Sequence, residues 1–290
     1  MQLSLLICSR NRANRLHATL SKLNQDSMRR YQVELVLVDS ASEDETFSTM
    51  RSFRESARIK TLIVRAERKG IGHASNLGIR NASNKDGLLI FSDDDCYLDQ
   101  NYFDQIVAEF DPVRFQYGGG AILQFDPLDD PRVARLPLET KTVIKKQQLL
   151  PAGAIQGANM FFLRRVFDVA GYFNEDMESA VDIEMATRSS FAGFTGVLLP
   201  SVRVYHDHGR RRGSAEANAT VARYDAGRGA YYASLLASGI SETWRLWMQM
   251  SRCHGPMPHE LLVRLEREFG GAAEFLRHMI AKRLSKDGQL

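Results

Sequence analysis

The stretch Gly87-Leu88-Leu89-Ile90-Phe91-Ser92-Asp93-Asp94-Asp95 decides the fold. Its apolar run has the length of one buried strand and ends directly in three carboxylates. Ligands of open α/β sheets bind beyond the carboxyl ends of the strands, which is where these aspartates fall. Carboxylates clustered there call for a cation, and hard oxygen donors suit Mg²⁺, Mn²⁺ or Ca²⁺. Mg²⁺-type ions are commonly shared between one or two carboxylates and the phosphates of a substrate. The triplet thus points to a metal–phosphate site. A solvated turn or a helix cap is the alternative for a short aspartate run.

On the N-terminal side, short apolar runs alternate with amphipathic stretches. Leu3–Cys8 reads as a strand, and Leu16, Leu20 and Leu23 follow at helical spacing. Val33–Val38 is a second strand, with Phe47, Met50 and Phe53 marking a second helix. Ile59–Val64 is a third strand, followed by a helix over His73–Asn81. This order predicts an α/β fold with a mostly parallel, doubly wound sheet flanked by helices.

The C-terminal side is less regular. Gly118-Gly119-Gly120 precede a strand-like Ala121–Phe125, and the proline-rich Asp126–Leu138 reads as loop. Gly157–Leu163 suggests a strand entering a helix that stops at Gly171. Asp182–Ala192 reads as a helix ended by Gly193, with strands near Gly196–Leu199 and Val202–Tyr205. From Arg210-Arg211-Arg212 onward the patterns are helical. The expected division is a main domain over 1–209, with halves at 1–98 and 99–209, and a helical extension over 210–290.

A chain of 290 residues that is 44% hydrophobic can bury a sizeable core. The net charge of +3 is too small to suggest nucleic acid as a partner. Cys8, Cys96 and Cys253 are far apart, with no disulfide or metal-ligand spacing, which fits a reducing compartment. Leu3–Cys8 is too short for a signal peptide, and no window approaches a membrane span. The expected location is cytoplasmic, at most peripheral at the inner face of a membrane.

Further candidates lie at the other strand ends. The second strand runs into Asp39, and an acid there can accept hydrogen bonds from a ribose or base. Ser42, Glu43 and Asp44, just beyond, also make a good helix start. The first strand ends in Cys8-Ser9-Arg10-Asn11-Arg12. It lacks the G-x-G-x-x-G of a dinucleotide-binding turn, which argues against a dehydrogenase. The loop does offer the Ser9 hydroxyl and the Arg10 and Arg12 guanidinium groups to a phosphate, although both arginines could simply be exposed. Farther on, Arg68-Lys69-Gly70-Ile71-Gly72 leads into the third helix, whose start favours anions.

Taken together, these segments resemble the inverting glycosyltransferases of the GT-A fold, family 2. The resemblance covers about residues 3–206 and rests on the Cys8–Arg12 loop, Val38–Thr46, Gly70 with Ala74–Gly78, and Ser92–Asp95. It continues through Gly157–Met160 with Arg164-Arg165, Gly171–Glu175, Val181–Glu184 and Val204–His206. It implies a divalent Mn²⁺ or Mg²⁺ ion, a nucleotide-diphosphate sugar donor and a saccharide or lipid-linked acceptor. Residues 1–98 become the nucleotide-sugar half and 99–209 the acceptor half. Ser9, Arg10, Asp39, Arg68, Asn76, Asp93 and Asp94 are then donor-side residues. Asp95 and His206 are metal-side residues, with His208 as a rival to His206.

The resemblance also makes Asp182 the catalytic base. The acid that usually precedes the base is Val181 here, which keeps Glu184 and Glu178 in view. The arginine usual before Asn76 is Ser75, so Arg68 or Lys69 stands in for the missing basic contact. UDP is the commonest donor nucleotide of the family, with GDP and dTDP as alternatives. A sugar-phosphate nucleotidyltransferase and a non-catalytic nucleotide-sugar-binding module are the rival readings. In the C-terminal segment, Tyr224, Tyr231, Tyr232, Trp244 and Trp247 with Arg210–Arg212 are expected either to pack helices together or to form a membrane-facing surface.

Overall fold

A computed structural model describes residues 1–250 and 257–287; Cys253 lies outside the described residues. Strands β1 (Leu3–Ser9), β2 (Glu34–Asp39), β3 (Thr61–Arg65) and β4 (Leu88–Asp93) form a parallel array in the order β3-β2-β1-β4. Every residue of β2 is buried, as its unbroken apolar run requires. The crossovers are α1 (Ala13–Ser21) with α2 (Gln25–Arg30), α3 (Thr46–Ser56) and α4 (Ile71–Asn81). A side chain at Gly78 of α4 would press on Leu6 and Val38, so this glycine sets how closely α4 approaches β1 and β2. Register fixes the site: Ser9 pairs with Asp39 and Cys8 with Asp93, so three strand ends finish level at one edge.

Beyond β4 the sheet becomes mixed, with antiparallel strands added to the parallel array. After β5 (Cys96–Leu98) and α5 (Tyr102–Glu109) come β6 (Tyr117–Gln124), β7 (Thr142–Ile144) and β8 (Met160–Leu163). Strand β8 runs antiparallel to both β4 and β6. The helices α6 (Arg164–Ala170) and α7 (Val181–Phe191) lead to β9 (Gly196–His206). The two strands expected near 196–199 and 202–205 are this single strand, parallel to β6, with a register shift at Gly120/Ala121. Its other edge carries β7 at Gly196–Leu198 and β5 at Val204–His206. Gly118 and Gly120 belong to β6 itself, because side chains there would strike Val197 O and Val202 O. Asn159 fills the shift, donating from Nδ2 to Ala121 O and Val202 O, each at 2.9 Å.

The last segment is helical as expected: α8 (Ala215–Ala237), α9 (Thr243–Met250) and α10 (His259–Asp287). Ser214 caps α8, its hydroxyl accepting from Ala217 N. Glycines let the helices meet closely, Gly229 against Glu268 and Gly271 against Ala226. The aromatic surface considered for this region does not form. Tyr231 and Tyr232 are fully buried and Trp247 nearly so, while Trp244 alone of those four is exposed. Tyr231 spans α8 and the main body, bonding to Thr187 Oγ1 at 2.7 Å and Leu150 O at 2.8 Å. Trp247 donates to buried Glu268, which also pairs with Arg228 and Arg264.

Candidate active site

Strand β4 ends at Asp93, and a tight turn through Asp94 and Asp95 enters β5. Because β5 pairs with the end of β9, Cys96 lies opposite His206. The histidine is thereby delivered to the triplet, with Nε2 3.0 Å from Asp95 Oδ1. Its Nδ1 faces Ala134 O at 3.2 Å. Both partners are acceptors, so the ring donates from both nitrogens and carries a positive charge. Burial opposes that charge, but the bond to Asp95 outweighs it and the His206 pKa is raised. His208 points elsewhere: its Nδ1 accepts from Arg210 N, lies 3.6 Å from Asp129, and burial lowers its pKa. The histidine at the triplet is therefore His206.

A second cation comes from the β1 loop. Arg12 reaches Asp95 Oδ2 with Nη2 at 2.5 Å and Asp94 Oδ1 with Nη1 at 2.8 Å. Ser9 donates its hydroxyl to Asp94 Oδ2 at 2.5 Å. The three carboxyls consequently differ. Burial pushes Asp94 up to about 7 despite Arg12. Burial and the neighbouring Asp95 charge also raise Asp93. Asp95 is buried as well, but hydrogen bonds and charge from His206 and Arg12 hold it far below the usual carboxylate range.

Donor atoms of Asp93, Asp95, Cys96 and His206 all lie within 4.8 Å of one another. Two carboxylates and an imidazole suit Mn²⁺ or Mg²⁺. The buried Cys96 thiol, its pKa raised well above normal, is neutral and soft and adds little for such ions. Both Asp95 oxygens are committed, one to Arg12 and one to His206. Arg12 thus competes with an ion for Asp95 Oδ2, and His206 can ligate an ion only after Nε2 gives up its proton.

Asp182 opens α7 after Ala180, which has positive φ (61°). Its Oδ2 accepts from Gly157 N at 2.7 Å and its Oδ1 from Ile183 N at 2.8 Å. Burial nonetheless raises its pKa, no cation being among the causes. Its charge is felt at Asp93, so the two belong to one cleft. Glu184 is different, held in a two-pronged pair by Arg188 at 2.8 and 2.9 Å. That arginine is itself anchored on Ala170 O and Tyr172 O.

The expected donor-side residues divide into two groups. Ser9, Asp39, Asp93 and Asp94 gather at the level strand ends. Asp39 Oδ1 accepts from Ser42 N, and its Oδ2 lies 3.1 Å from Arg65 Nε without an aligned hydrogen bond. Arg10 is exposed and faces Glu43 at 3.9 Å. Arg68 and Asn76 meet Glu175 rather than the triplet. Asn76 is used up structurally, since it also bonds Phe173 N and Phe173 O, each at 2.9 Å, and so ties α4 to the segment before α7.

Two residues of the cleft have places that differ from their reading in sequence, Arg12 as a phosphate ligand beside Arg10 and Tyr224 as a packing or membrane-facing aromatic. Arg12 and Arg10 look alike there, and only the loop geometry separates them. Tyr224 of α8 lies within electrostatic reach of both Asp93 and Asp182, with a hydroxyl that burial pushes up to about 12. Backbone strain also clusters here. Asn11, Ala41, Ala134 and Ala180, on four of the surrounding loops, have positive φ at roughly 1 kcal/mol or more each.

The site thus combines level strand ends with an acidic turn, a histidine on an antiparallel neighbour and a carboxylate heading the next helix. The chain belongs to glycosyl transferase family 2, which matches residues 4–170. It is similar to the glycosyltransferase AglE of Haloferax volcanii, 22% identical over 192 residues covering 66% of this chain and 62% of the relative. The chain thus spans about three fifths of that relative's length. Among solved structures it resembles a mannosyltransferase from Pyrobaculum calidifontis in complex with GDP-Man and Mn²⁺. That likeness has a TM-score of 0.61 at 18% identity and covers 99% of this chain and 79% of that one. It also resembles S. aureus TarS in complex with UDP-GlcNAc, with a TM-score of 0.53 at 16% identity, covering 81% and 72% of the two chains. These likenesses establish the GT-A fold.

Proposed function

We propose that the protein transfers a sugar from a nucleoside-diphosphate sugar to an acceptor hydroxyl, with inversion and with a divalent metal, in polysaccharide or glycoconjugate synthesis. The observation that carries this reading is Asp182, a half-buried carboxylate with raised pKa and no cationic partner among the described residues, in the same cleft as the Asp93–Asp95 turn. A binding module has no use for such a group, whereas a transferase needs a proton acceptor. Family membership sets the nucleotidyltransferase reading aside.

Asp95 and a neutral His206, with Asp93, would hold a divalent metal, which when bound would supply positive charge beside the departing diphosphate. Asp39 and Ser9 receive the nucleoside from the ends of β2 and β1. Asp182 accepts the proton of the acceptor hydroxyl as its oxygen bonds the anomeric carbon. The opposite carbon–oxygen bond breaks, and the nucleoside diphosphate leaves with the electron pair. UDP is the leading nucleotide, and the GDP-Man complex of the mannosyltransferase keeps GDP in view. The test is transfer from UDP- and GDP-sugars with Mn²⁺, reading the product anomer by NMR. Thermal shifts with nucleoside diphosphate and Mn²⁺ accompany it, in wild type and Asp95→Ala. A retained anomeric configuration, or an Mn²⁺ response surviving in Asp95→Ala, overturns the reading.

A further inference from the structure

Helix α10 has two apolar faces, and only one is covered by the described residues. Ala272, Phe275 and Met279 pack toward the core. On another face Leu276, Ile280 and Leu284 recur every fourth residue and are 37%, 54% and 67% exposed. Nearer the start of α10 the same side carries exposed Leu262 and Phe269 with Glu266 between them, so the unbroken apolar stretch is Leu276–Leu284. At 3.6 residues per turn, Arg277 and Arg283 project about 60° to either side of Ile280. From Leu276 to Lys286 the sequence contains Arg277, Lys282, Arg283 and Lys286 and no acid. The other side of this half-helix is fixed near the cleft, because His278 and Lys282 pair with Asp176 in the segment leading into α7 and Asp182.

We propose that this face of α10 docks on an anionic lipid surface, and that the acceptor is presented to the cleft from that surface. The acceptor part rests on the proposed function; the docking part does not. An apolar stripe between cations is the pattern of a helix lying in a membrane interface, where headgroup phosphates meet the flanking charges. A second copy fits less well. Two such faces brought together over Leu276–Leu284 would oppose Arg277 and Arg283 to their own kind, the acids on this side of the helix, Glu266 and Asp287, lying beyond that stretch. No described helix is long and apolar enough to cross a membrane, so contact would lie in the interfacial plane.

The test is co-sedimentation of the full chain with vesicles of phosphatidylcholine alone and with added phosphatidylglycerol. Wild type should bind the anionic vesicles only, and less in high salt. Arg277→Ala with Arg283→Ala should weaken binding roughly thirtyfold, as two basic residues near an anionic surface are worth together. Leu276→Glu with Ile280→Glu should abolish it, with an unchanged circular-dichroism melt showing the fold intact. Ile280→Ser with Leu284→Ser is the milder variant should the glutamates disturb folding. Absence of wild-type binding, or binding unaltered in these variants, overturns the proposal. So does a dimer in light scattering that the glutamate variant dissolves. Nucleotide and Mn²⁺ thermal shifts on the same samples report on the proposed function separately.

Discussion

Arg12 holds Asp95 from the tip of the β1 loop, its Nη2 2.5 Å from the carboxylate Oδ2. A cation of the chain's own thus occupies one side of the carboxylate expected to bind metal, while His206 occupies the other. The arrangement resolves an electrostatic problem. Three adjacent acids at a strand end repel one another, and burial makes each charge costlier. Arg12 and His206 hold the cluster together in the free protein, and Arg12 competes with an ion for Asp95.

Arg12→Ala should therefore move two measurements in opposite directions. The free protein should lose stability, near the lower end of the roughly 3–5 kcal/mol that follows removal of one partner from a buried pair, because Arg12 is partly exposed. Apparent Mn²⁺ affinity should rise, since one competitor for Asp95 is gone. Denaturant melts and Mn²⁺ titrations followed by thermal shift check this. Weaker Mn²⁺ binding in Arg12→Ala would mean that the arginine helps organise the ion site.

Asp94 gives a pH prediction. Its folded pKa is raised to about 7, whereas in the unfolded chain it returns to the ordinary carboxylate value. Between those values the folded state binds more protons than the unfolded one, so stability falls as pH rises through this window. Asp93, also raised, adds to the fall, and the loss of the His206 proton extends it upward. Asp95 is lowered and acts oppositely, but only in strong acid. The metal-free protein should thus melt at lower temperature at pH 8 than at pH 5.5 (roughly, the two sides of that window). Asp94→Asn should flatten the slope. A melting temperature that rises with pH across this range would exclude the account.

The parallel half of the fold was legible because each of its features is local. Apolar runs became β1 to β4 almost residue for residue, and the strand-end acids fell where the register put them. The mixed half was not, because its elements are held by distant partners. Three-residue β5 and β7 exist only as edges of β9, and β6 contains three glycines because Val197, Val202 and Asn159 crowd it. Six-residue α2 lacks the length for a periodic signal and is marked chiefly by its Asn24 cap. In the site, the choice between His206 and His208 depended on the pairing of Cys96 with His206. The same limit hid the place of Tyr224, whose acidic neighbours Asp93 and Asp182 are more than forty residues away in sequence.

Tyr224 has a testable role. On α8 it shares a face with Gly227, which packs on Ser179, and with Tyr231, which bonds Thr187, so that face looks onto α7. Its hydroxyl lies in the field of Asp93 and Asp182 and stays protonated at neutral pH, able to donate to a sugar hydroxyl. Tyr224→Phe keeps the ring and removes that donor. It should raise KM for donor sugar or acceptor or lower kcat by about tenfold, the usual worth of one hydrogen bond, without altering nucleotide affinity. Unchanged kinetics would make Tyr224 a packing residue only.

The last prediction separates the two acids of α7. Asp182 is held by two backbone amides and keeps no cation, so its carboxylate can accept a proton. Glu184 is locked by Arg188, which fixes α7 to Ala170 and Tyr172. Asn is nearly isosteric with Asp and keeps one acceptor, but it cannot take up a proton at neutral pH. Asp182→Asn should therefore fold, bind nucleotide and Mn²⁺ as wild type does, and lose about 10²–10⁴ in kcat. Glu184→Gln should do the reverse, weakening the arginine clamp and lowering the melting temperature while losing far less turnover. The pH profile adds an independent check. Since burial raises the Asp182 pKa, the rate should climb with pH on the acid side at a value above that of an ordinary aspartate. That limb should vanish in Asp182→Asn and persist in Glu184→Gln. Should Glu184→Gln be the inactive variant while Asp182→Asn keeps its turnover, the base lies elsewhere on α7.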